Sequence, residues 1–317
     1  MTTADVPAPA RDRIALRRAA VRATLAPSVH NTQPWRLRIG DGTLAVYADT
    51  ERALAVLDPA LRQLTISCGC AVLNARAALA ADGHGVRVAR LPRTADPTLL
   101  AVLTETSGPV DHHLAKLNAL VELRHTNRRA FAEEPVPTQV LESTTRAIEA
   151  EGGQAVVVSG ERLRAVVAEL SSEADRVENL DAAYRAEVKA WTSYAPGRTD
   201  GVPPGADTAT PRSLSGPELV VLATPGDEPE DWLRAGEALQ RALLEITRHG
   251  FVASPLVQVT EVAWTRAELR RQLQLSGHPH LLLRIGRAPG TPATRRRRLA
   301  EVLREDTSDD TANHHRG

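Results

Sequence analysis

The sequence predicts an α+β fold, and three observations carry this prediction. Segments with helical spacing of apolar residues alternate with short segments typical of strands. These segments do not follow the regular strand–helix–strand spacing of a doubly wound sheet. No Gly-x-Gly-x-x-Gly motif follows a predicted strand, which argues against a separate dinucleotide-binding domain of the Rossmann type. A chain of 317 residues is also long enough for two domains.

The elements of the first part of the chain can be assigned in order. Residues 14–25 have the apolar spacing of a helix, which Pro27 ends. Residues 35–47 alternate around Gly40-Asp41-Gly42, which indicates a hairpin. The other predicted elements are a helix opened by Asp58-Pro59 and continuing through 72–79, strands at 86–91 and 99–104, and an amphipathic helix at 114–123.

After Pro135-Val136-Pro137 the order of elements recurs. The predicted elements are a helix at 140–150, a strand at 154–159, a long helical stretch at 163–188, a strand at 219–223, a helix at 232–249 and a buried strand at 280–285. Residues 191–217 interrupt this order with repeated Pro and Gly. So long a segment without regular structure inside a compact protein is typical of a lid, a binding loop or disorder.

Composition excludes several classes of protein. The 39 basic and 39 acidic side chains balance, so no net field attracts nucleic acid or an anionic membrane. Arginines interrupt the N-terminal region, which predicts no signal peptide. No apolar run approaches the ~18 residues of a membrane span. The sequence therefore predicts a cytoplasmic protein with no membrane partner, and a frayed polar tail at 305–317.

The cysteines and the C-terminal histidines do not indicate a metal site or a disulfide. Cys68 and Cys70 are too close for an ordinary disulfide. Two thiols are also too few to close a zinc site, so small buried residues are expected. His278 and His280 lack a third ligand at a suitable spacing. No metal is predicted.

The most informative segment is Ala26-Pro27-Ser28-Val29-His30-Asn31-Thr32-Gln33-Pro34-Trp35. Its two carboxamides offer both donors and acceptors, which suit a planar heterocycle that displays N–H and C=O groups. The segment resembles the Ala-Pro-Ser-x-x-Asn-x-Gln-Pro-Trp signature of the nitroreductase superfamily, which binds FMN. The resemblance implies that FMN is contacted by Pro27, Ser28, His30, Asn31 and Gln33.

A second cluster is Arg124-His125-Thr126-Asn127-Arg128-Arg129-Ala130-Phe131. Its like charges indicate either an anionic partner or a solvated basic helix end. The cluster is similar to the nitroreductase Arg-Arg-Ser-x-Arg segment, with His125 in place of the usual second Arg. The resemblance implies that Arg124, Thr126 and Arg128 hold the FMN phosphate and ribityl chain.

Two segments near the C-terminus extend the resemblance. Residues 276–286 are similar to the Gly-His-Pro-Gln…Leu-Arg-x-Gly strand of flavin-binding relatives, with His280 in place of the usual Gln. That similarity implies that Arg284 lies beside the flavin. Residues 295–298 are all arginines at a place where relatives often carry another phosphate-binding residue. A basic surface turn is the alternative for that run.

Residues 250–258 form the fourth segment. In nitroreductases the corresponding loop passes the flavin ring, and one of its backbone N–H groups bonds to N5. The usual Gly is absent here, and Leu256, Val257 and Gln258 stand in that place. The resemblance implies cofactor contacts for these three residues, whereas the residues alone also allow a short core strand.

Taken together, residues 18–298 most resemble the Acg family, a branch with two nitroreductase-like halves in one chain. The resemblance implies halves at 1–120 and 121–317 that form an internal pseudo-dimer, as a monomer or a homodimer. The Pro-Ser-x-x-Asn segment occurs only in the first half and the arginine segment only in the second. One FMN per chain is therefore expected.

The function implied by the resemblance is two-electron transfer through FMN from NAD(P)H to an organic acceptor, such as a quinone or nitro compound. The flavin performs the chemistry, so no side chain is predicted to be catalytic. One alternative is a protein that stores FMN under a lid at 191–217, with Trp191 or Tyr194 near the ring; a solvated loop is the other interpretation of that segment. Another is a regulatory protein that binds a phosphorylated metabolite.

Overall fold

Short helices and strands alternate in the computed structural model, which describes residues 13–193, 197–202, 214, 216–291 and 293–306. The α-helices of these residues are α1 (Arg13–Ala23), α2 (Arg62–Ala81), α3 (His112–Leu117), α4 (Thr138–Glu149), α5 (Glu161–Leu180), α6 (Ala182–Thr192), α7 (Pro229–Arg248), α8 (Gln258–Glu261), α9 (Ala263–Gln272) and α10 (Leu299–Val302). The strands are β1 (Trp35–Gly40), β2 (Thr43–Ala48), β3 (Gly85–Arg90), β4 (Leu99–Thr106), β5 (Gln154–Val157), β6 (Glu218–Thr224), β7 (Val252–Leu256), β8 (His278–Gly286) and β9 (Leu303–Glu305). The mixture confirms the predicted α+β class.

Within the described residues the strands form two sheets, with orders β3-β4-β2-β1-β9 and β5-β6-β8-β7. In chain order, β5, β6, β7 and β8 of the second sheet correspond to β1, β2, β3 and β4 of the first. With this correspondence the two sheets have the same strand order, and the first sheet has β9 as an additional strand. Each half also places a 20-residue helix between its second and third strands, α2 in one and α7 in the other. The chain therefore has two related halves, as predicted. That these halves stand for the two subunits of a dimer stays a prediction, as does the boundary at residue 120.

The C-terminal segment returns to the sheet of the first half. Strand β9 pairs in parallel with β1, with Leu303 opposite Leu37. The backbone N–H of Asp306 donates to the carbonyl of Ile39 at 2.9 Å, and the Asp306 carboxylate accepts from Arg38 at 2.6 Å. The predicted frayed tail is therefore wrong for residues 305 and 306, because β1 offers them an unpaired edge; residues 307–317 lie outside the described residues.

The helices α2 and α7 pack directly against each other at two glycines. Gly69 is the eighth residue of α2, and Gly236 is the eighth residue of α7. A Cβ on Gly69 would come within 2.9 Å of the Gly236 Cα, and one on Gly236 within 2.8 Å of the Gly69 Cα. Only a residue without a side chain allows the two backbones to approach so closely. The contact joins the two halves at equivalent positions.

The central helix α2 is buried along most of its length, including Leu64, Val72 and Leu79. By length and mean hydropathy it is the one helix in the described part of the chain that could cross a membrane, but 89% of its apolar window is buried inside the protein. Its apolar character is that of a core helix packed against α1 and α7.

Several boundaries differ from the predicted ones for local reasons. The predicted helix at 163–188 is two helices, because the Asp181 carboxylate accepts the N–H of Ala183 at 2.7 Å and starts α6. The helix opened by Asp58 begins at Arg62, after Leu61 in a left-handed conformation with φ 60°. The amphipathic segment at 114–123 is helical only to Leu117, followed by a 3₁₀ turn. Helices α8, α9 and α10 were not predicted.

Candidate functional site

A cavity of about 490 Å³ is lined by residues from both halves of the chain. The loop after α1 and one face of α2 form one side, and residues 126–131, the end of β7 and strand β8 form another. Most of the residues predicted to bind the cofactor line it: Pro27, Ser28, His30, Thr126, Arg128, Leu256, Val257, Gln258 and Arg284. Motifs that lie far apart in the chain therefore meet at one place.

The cavity wall carries positive charge, and none of its described lining residues is an Asp or Glu. Its basic side chains are Arg128, Arg129, Arg284 and His30. Burial lowers the pKa of Arg128, and no carboxylate of the described residues offsets this effect. A buried cation without a counter-ion is costly, so this wall favours an anionic ligand.

Arg124 and Arg296 lie behind this wall, and together with Arg128 we call them the arginine cluster. Arg124 is 4% exposed, and its Nε and Nη1 have no hydrogen-bond partner. Burial lowers the pKa of Arg124 to about 10, and the charges of Arg296 and Arg128 act in the same direction. Burial and the charge of Arg128 also lower the pKa of Arg296 to about 10. Arg124 does not line the cavity itself, and its predicted contact with the ligand stays a prediction.

The segment that carries Arg124 and Arg128 is anchored beside β7. The backbone N–H of Asn127 donates to the carbonyl of Ala253 at 2.9 Å, and Thr126 forms a parallel bridge with the same residue. The Asn127 side chain then bonds both backbone groups of Arg129, donating to its carbonyl at 2.8 Å and accepting from its N–H at 3.1 Å. Asn127, which is 1% exposed, therefore fixes the direction of the basic residues around it.

His30 lines the cavity in an unusual backbone conformation. Its φ is 47°, and Asn31 and Gln33 also have positive φ, at 56° and 52°. Three such residues in four positions make a strained loop, of the kind that surrounding bonds must hold in place. The Nε2 of His30 is buried without a hydrogen-bond partner. Burial, and then the charge of Arg128, lower the pKa of His30 to about 4, so its imidazole is neutral at pH 7.

Asn31 and Gln33 form hydrogen bonds within the protein, and their predicted contact with the cofactor stays a prediction. Neither lines the cavity, and they are 5% and 0% exposed. Asn31 Nδ2 donates to the carbonyls of Gly201 at 3.1 Å and Arg295 at 3.2 Å. Gln33 Nε2 donates to the carbonyl of Thr199 at 2.9 Å, and its Oε1 accepts from the backbone N–H of Arg297 at 2.8 Å. The left-handed loop turns both amides toward other segments of the chain.

The predicted flavin-side loop at 250–258 is mostly the short core strand that was its alternative. Residues Val252–Leu256 form β7, which pairs with β8 so that Leu256 lies opposite Leu282. The chain then turns at Val257 into α8. Leu256, Val257 and Gln258 nevertheless line the cavity, because the strand ends at its wall.

Part of the predicted lid is ordered against the loop at 28–33. Val202, which is 3% exposed, and Pro217 line the cavity. Trp191 does not line it; the guanidinium groups of Arg52 and Arg198 lie over its ring, 5.3 and 5.1 Å from the centroid. Two cations thus contact its ring away from the cavity lining, and the prediction that Trp191 or Tyr194 lies near the flavin stays a prediction. Tyr194 lies outside the described residues.

Sequence reasoning missed one whole face of α2. Gln63, Ile66, Ser67 and Cys70 all line the cavity, and their spacing of three, four and seven residues puts them on one face of a helix. That spacing was a detectable signal. Cys70 and Cys68 are free and buried, as predicted. Burial raises the pKa of Cys70 to about 12, so the thiol stays protonated.

Arg284 reaches the cavity from β8 and is 9% exposed. Its guanidinium lies over the ring of Phe131, 4.8 Å from the centroid, and Phe131 also lines the cavity. The ring rests on Gly286, where a Cβ would come within 2.7 Å of Phe131 Cδ1. The glycine two residues after Arg284 thus makes room for the ring that supports this arginine.

His280 lies beneath β8 and away from the cavity lining. It is 0% exposed, its Nε2 bonds Thr224 Oγ1, and its Nδ1 accepts from Arg266 at 3.4 Å. Burial, and then the charges of Arg266 and Arg62, lower its pKa to about 3. Neither His280 nor His278 belongs to a cluster of metal ligands, since no group of three His, Cys, Asp or Glu that could hold a metal occurs among the described residues.

This buried histidine predicts acid sensitivity of the fold. Below a pH of about 6.5, the pKa of an unfolded histidine, the unfolded chain binds a proton at this residue that folded His280 does not bind. The protein therefore loses stability as the pH falls toward the pKa of folded His280. We expect a loss of roughly 2 kcal/mol from this residue between pH 7.5 and 4.5. His280→Gln should flatten that part of the pH profile in urea unfolding. The matched variant His112→Gln, at an exposed histidine, should not; equal profiles for all three proteins would contradict the prediction.

Comparison with known proteins decides the family. No family model matches the chain. A Mycobacterium tuberculosis protein with the provisional name NAD(P)H nitroreductase Rv3131 is 33% identical over 310 residues, covering 89% of this chain and 88% of the relative. The chain belongs to the nitroreductase family. Another M. tuberculosis relative, provisionally named NAD(P)H nitroreductase acg, is 29% identical over 314 residues, covering 90% of this chain and 94% of the relative. The predicted Acg-like membership is confirmed.

Solved structures of other family members cover a smaller part of this Acg-like nitroreductase. The FMN-dependent nitroreductase NfnB of Mycobacterium smegmatis, in complex with NADPH, is 20% identical and has a TM-score of 0.42; the match covers 61% of this chain and 100% of that one. A Bacteroides fragilis nitroreductase with bound FMN is 14% identical, with a TM-score of 0.41, covering 58% of this chain and 94% of that one.

Proposed function

We propose that this nitroreductase binds one FMN per chain in the cavity and transfers two electrons from NAD(P)H to an organic acceptor. The observation that carries the proposal is the arginine cluster behind a cavity wall that contains no carboxylate among its described residues. Arg124 keeps two buried nitrogen atoms without partners, and Arg296 keeps one. This positive charge without a counter-ion favours a phosphate, which accepts several charge-assisted hydrogen bonds.

The remaining wall fits a flat, largely apolar ring system. Pro27, Ile66, Leu239, Val257 and Leu281 supply apolar surface to the cavity. Burying an aromatic ring against such surface is favourable, at about 25 cal/mol per Å². Ser28, Thr126 and Gln258 supply the few polar groups that a heterocyclic ligand needs for orientation. The donor set and the apolar lining thus fit FMN.

Each half of the chain contributes a different part of the proposed site. The loop at 27–30 and α2 come from the first half, whereas the arginine segment and β8 come from the second. Since neither half repeats the other's motif, the fused halves supply one complete site. This supports a single FMN per chain and the internal pseudo-dimer.

The protein's role in the reaction is to bind and position. FMN, when bound, supplies the two-electron chemistry. His30 is neutral at pH 7 because burial lowers its pKa to about 4, so it does not supply a proton there. Cys70 stays a thiol because burial raises its pKa to about 12. The chain's own groups therefore hold the anionic end of the ligand and exclude water, and no carboxylate is among the described residues that line the cavity.

A second function, FMN storage, is favoured by the described residues of the segment at 191–217. Val202 and Pro217 close part of the cavity, and Gly201 is bonded to Asn31 in both directions, by its backbone N–H at 3.3 Å and its carbonyl at 3.1 Å. A fixed cover would slow the approach of a nicotinamide. The two functions differ in turnover and not in FMN binding.

One set of measurements tests both functions. The purified protein should show the absorption bands of flavin after FMN is added and gel-filtered, with one FMN and one phosphorus per chain. NADH or NADPH should then bleach the bound flavin, and a quinone should restore its colour repeatedly. Bound FMN that is neither reduced nor turned over would favour storage. A protein that stays colourless would overturn FMN binding, and two FMN per chain would overturn the split site.

A further inference from the structure

The strained loop at 28–33 is the junction of three segments that are distant in sequence. Asn31 Nδ2 donates to the carbonyl of Gly201, in the segment at 191–217 that we call the cover, and to the carbonyl of Arg295 near the C-terminus. Asn31 Oδ1 accepts from Arg296 Nη1 at 3.2 Å. One amide therefore touches both the cover and the arginine cluster.

Most of the guanidinium of Arg296 is bonded to the protein itself. Its Nη1 donates to Asn31 Oδ1 and, at 2.7 Å, to Thr294 Oγ1. Its Nη2 faces the carbonyls of Leu25 and Ala26 at 3.3 and 3.4 Å. Only Nε lacks a partner. The position of this cation is thus fixed by its own hydrogen bonds, and no carboxylate is among these acceptors.

We propose that Asn31 is a positioning residue that holds Arg296 in the arginine cluster and so sets the recognition of the ligand's phosphate. The proposal rests on the proposed function. In it Asn31 acts through Arg296 and does not contact the flavin, which departs from the role that the family resemblance implied. The same side chain is hydrogen-bonded to Gly201, so it also connects the phosphate end of the site with the cover.

The chemistry of the amide explains why an asparagine suits this position. Its oxygen accepts from the guanidinium while its nitrogen donates to two carbonyls. A carboxylate in the same place would lose both donated bonds. It would also pair with Arg296, neutralise part of the cluster and repel a phosphate. An alanine would release Arg296 without adding charge.

The test compares the affinities of FMN and riboflavin, which differ only in the phosphate. In fluorescence titrations Asn31→Ala should lower FMN affinity by about tenfold, because a charge-assisted contact is misaligned. Asn31→Asp should lower it further, because the carboxylate neutralises part of the cluster and repels the phosphate. Riboflavin affinity should change by less than about twofold. Gln33→Ala is the matched control, because Gln33 is an amide in the same loop that bonds Thr199 and Arg297 but not Arg296. It should leave the ratio of the two affinities at the wild-type value.

A double-mutant cycle with Arg296→Gln completes the test. If Asn31 acts through Arg296, Asn31→Ala should add little to the loss of FMN affinity caused by Arg296→Gln. Fully additive losses would overturn the proposal, and so would equal losses of FMN and riboflavin affinity or unchanged FMN affinity in both Asn31 variants. If Asn31→Ala does not fold, the near-isosteric Asn31→Asp carries the comparison. A wild-type protein that binds neither flavin would instead overturn the proposed function, and this proposal with it.

Discussion

Replacing Arg128 with alanine should weaken FMN binding by about tenfold to a hundredfold. A hydrogen bond to a charged group contributes about 1.5–3 kcal/mol, and each 1.4 kcal/mol is a factor of ten in affinity. Arg128 lines the cavity, and burial lowers its pKa without an offsetting carboxylate among the described residues. The protein thus supplies an uncompensated cation at the place proposed for the phosphate. A fluorescence titration with FMN measures the effect.

The control for this variant is an arginine with a carboxylate partner. Arg176 is exposed on α5 and pairs with Glu173 at 2.7 Å. Arg176→Ala should leave FMN affinity within about twofold, since exposed ion pairs contribute little. Riboflavin should bind Arg128→Ala and wild type alike. Unchanged FMN affinity in Arg128→Ala would remove this residue from the site and weaken the case for a phosphate there.

The second large effect is expected on stability. Gly236→Ala should lower the free energy of unfolding by about 3 kcal/mol, the upper part of the range for overpacking a core. The new methyl group would overlap the carbonyl oxygen of Ile66 and come within 2.8 Å of the Gly69 Cα. Both obstacles are backbone atoms of a buried helix, so relief requires α2 and α7 to move apart. Urea unfolding followed by circular dichroism measures the change.

Gly290 offers a matched control for the glycine prediction. A Cβ at that position would meet no atom within 4 Å, and the residue is exposed. Gly290→Ala should therefore change the free energy of unfolding by less than about 0.5 kcal/mol, as for most surface substitutions. Gly69→Ala should behave like Gly236→Ala, because the two glycines face each other. Wild-type stability of both helix variants would show that the helices can separate at little cost.

The same helix pair also shapes the cavity. Ile66 and Cys70 lie three residues before and one residue after Gly69 in α2 and line the cavity, and Leu239 of α7 lines it as well. Cys70 Sγ donates to the carbonyl of Gly236 at 3.1 Å across the helix contact. A shift of α2 against α7 therefore displaces cavity residues, so the glycine variants should also bind FMN less tightly than wild type.

Sequence periodicity by itself determined the α+β class and most of the regular elements. The hairpin of β1 and β2 follows from alternation around Gly40-Asp41-Gly42, and in the structure Gly40 pairs with Thr43. The helices α2 and α7 follow from apolar spacing that a buried helix requires. These features depend on neighbours within a few residues, which is why one sequence was enough to predict them. The motifs also indicated the family, and they converge on one cavity.

Only the tertiary structure decided how the side chains of those motifs are used. Asn31 and Gln33 were expected to face a ligand, but their partners lie 166 to 265 residues away, at Thr199, Gly201 and 295–297. The pairing of β9 with β1 and the burial of Arg124 likewise depend on distant segments. Nothing local specifies such contacts, because a polar group bonds to whatever partner the folded chain brings within about 3 Å. The sequence thus determined which residues converge, and the packing of the two halves determined which of them face the cavity.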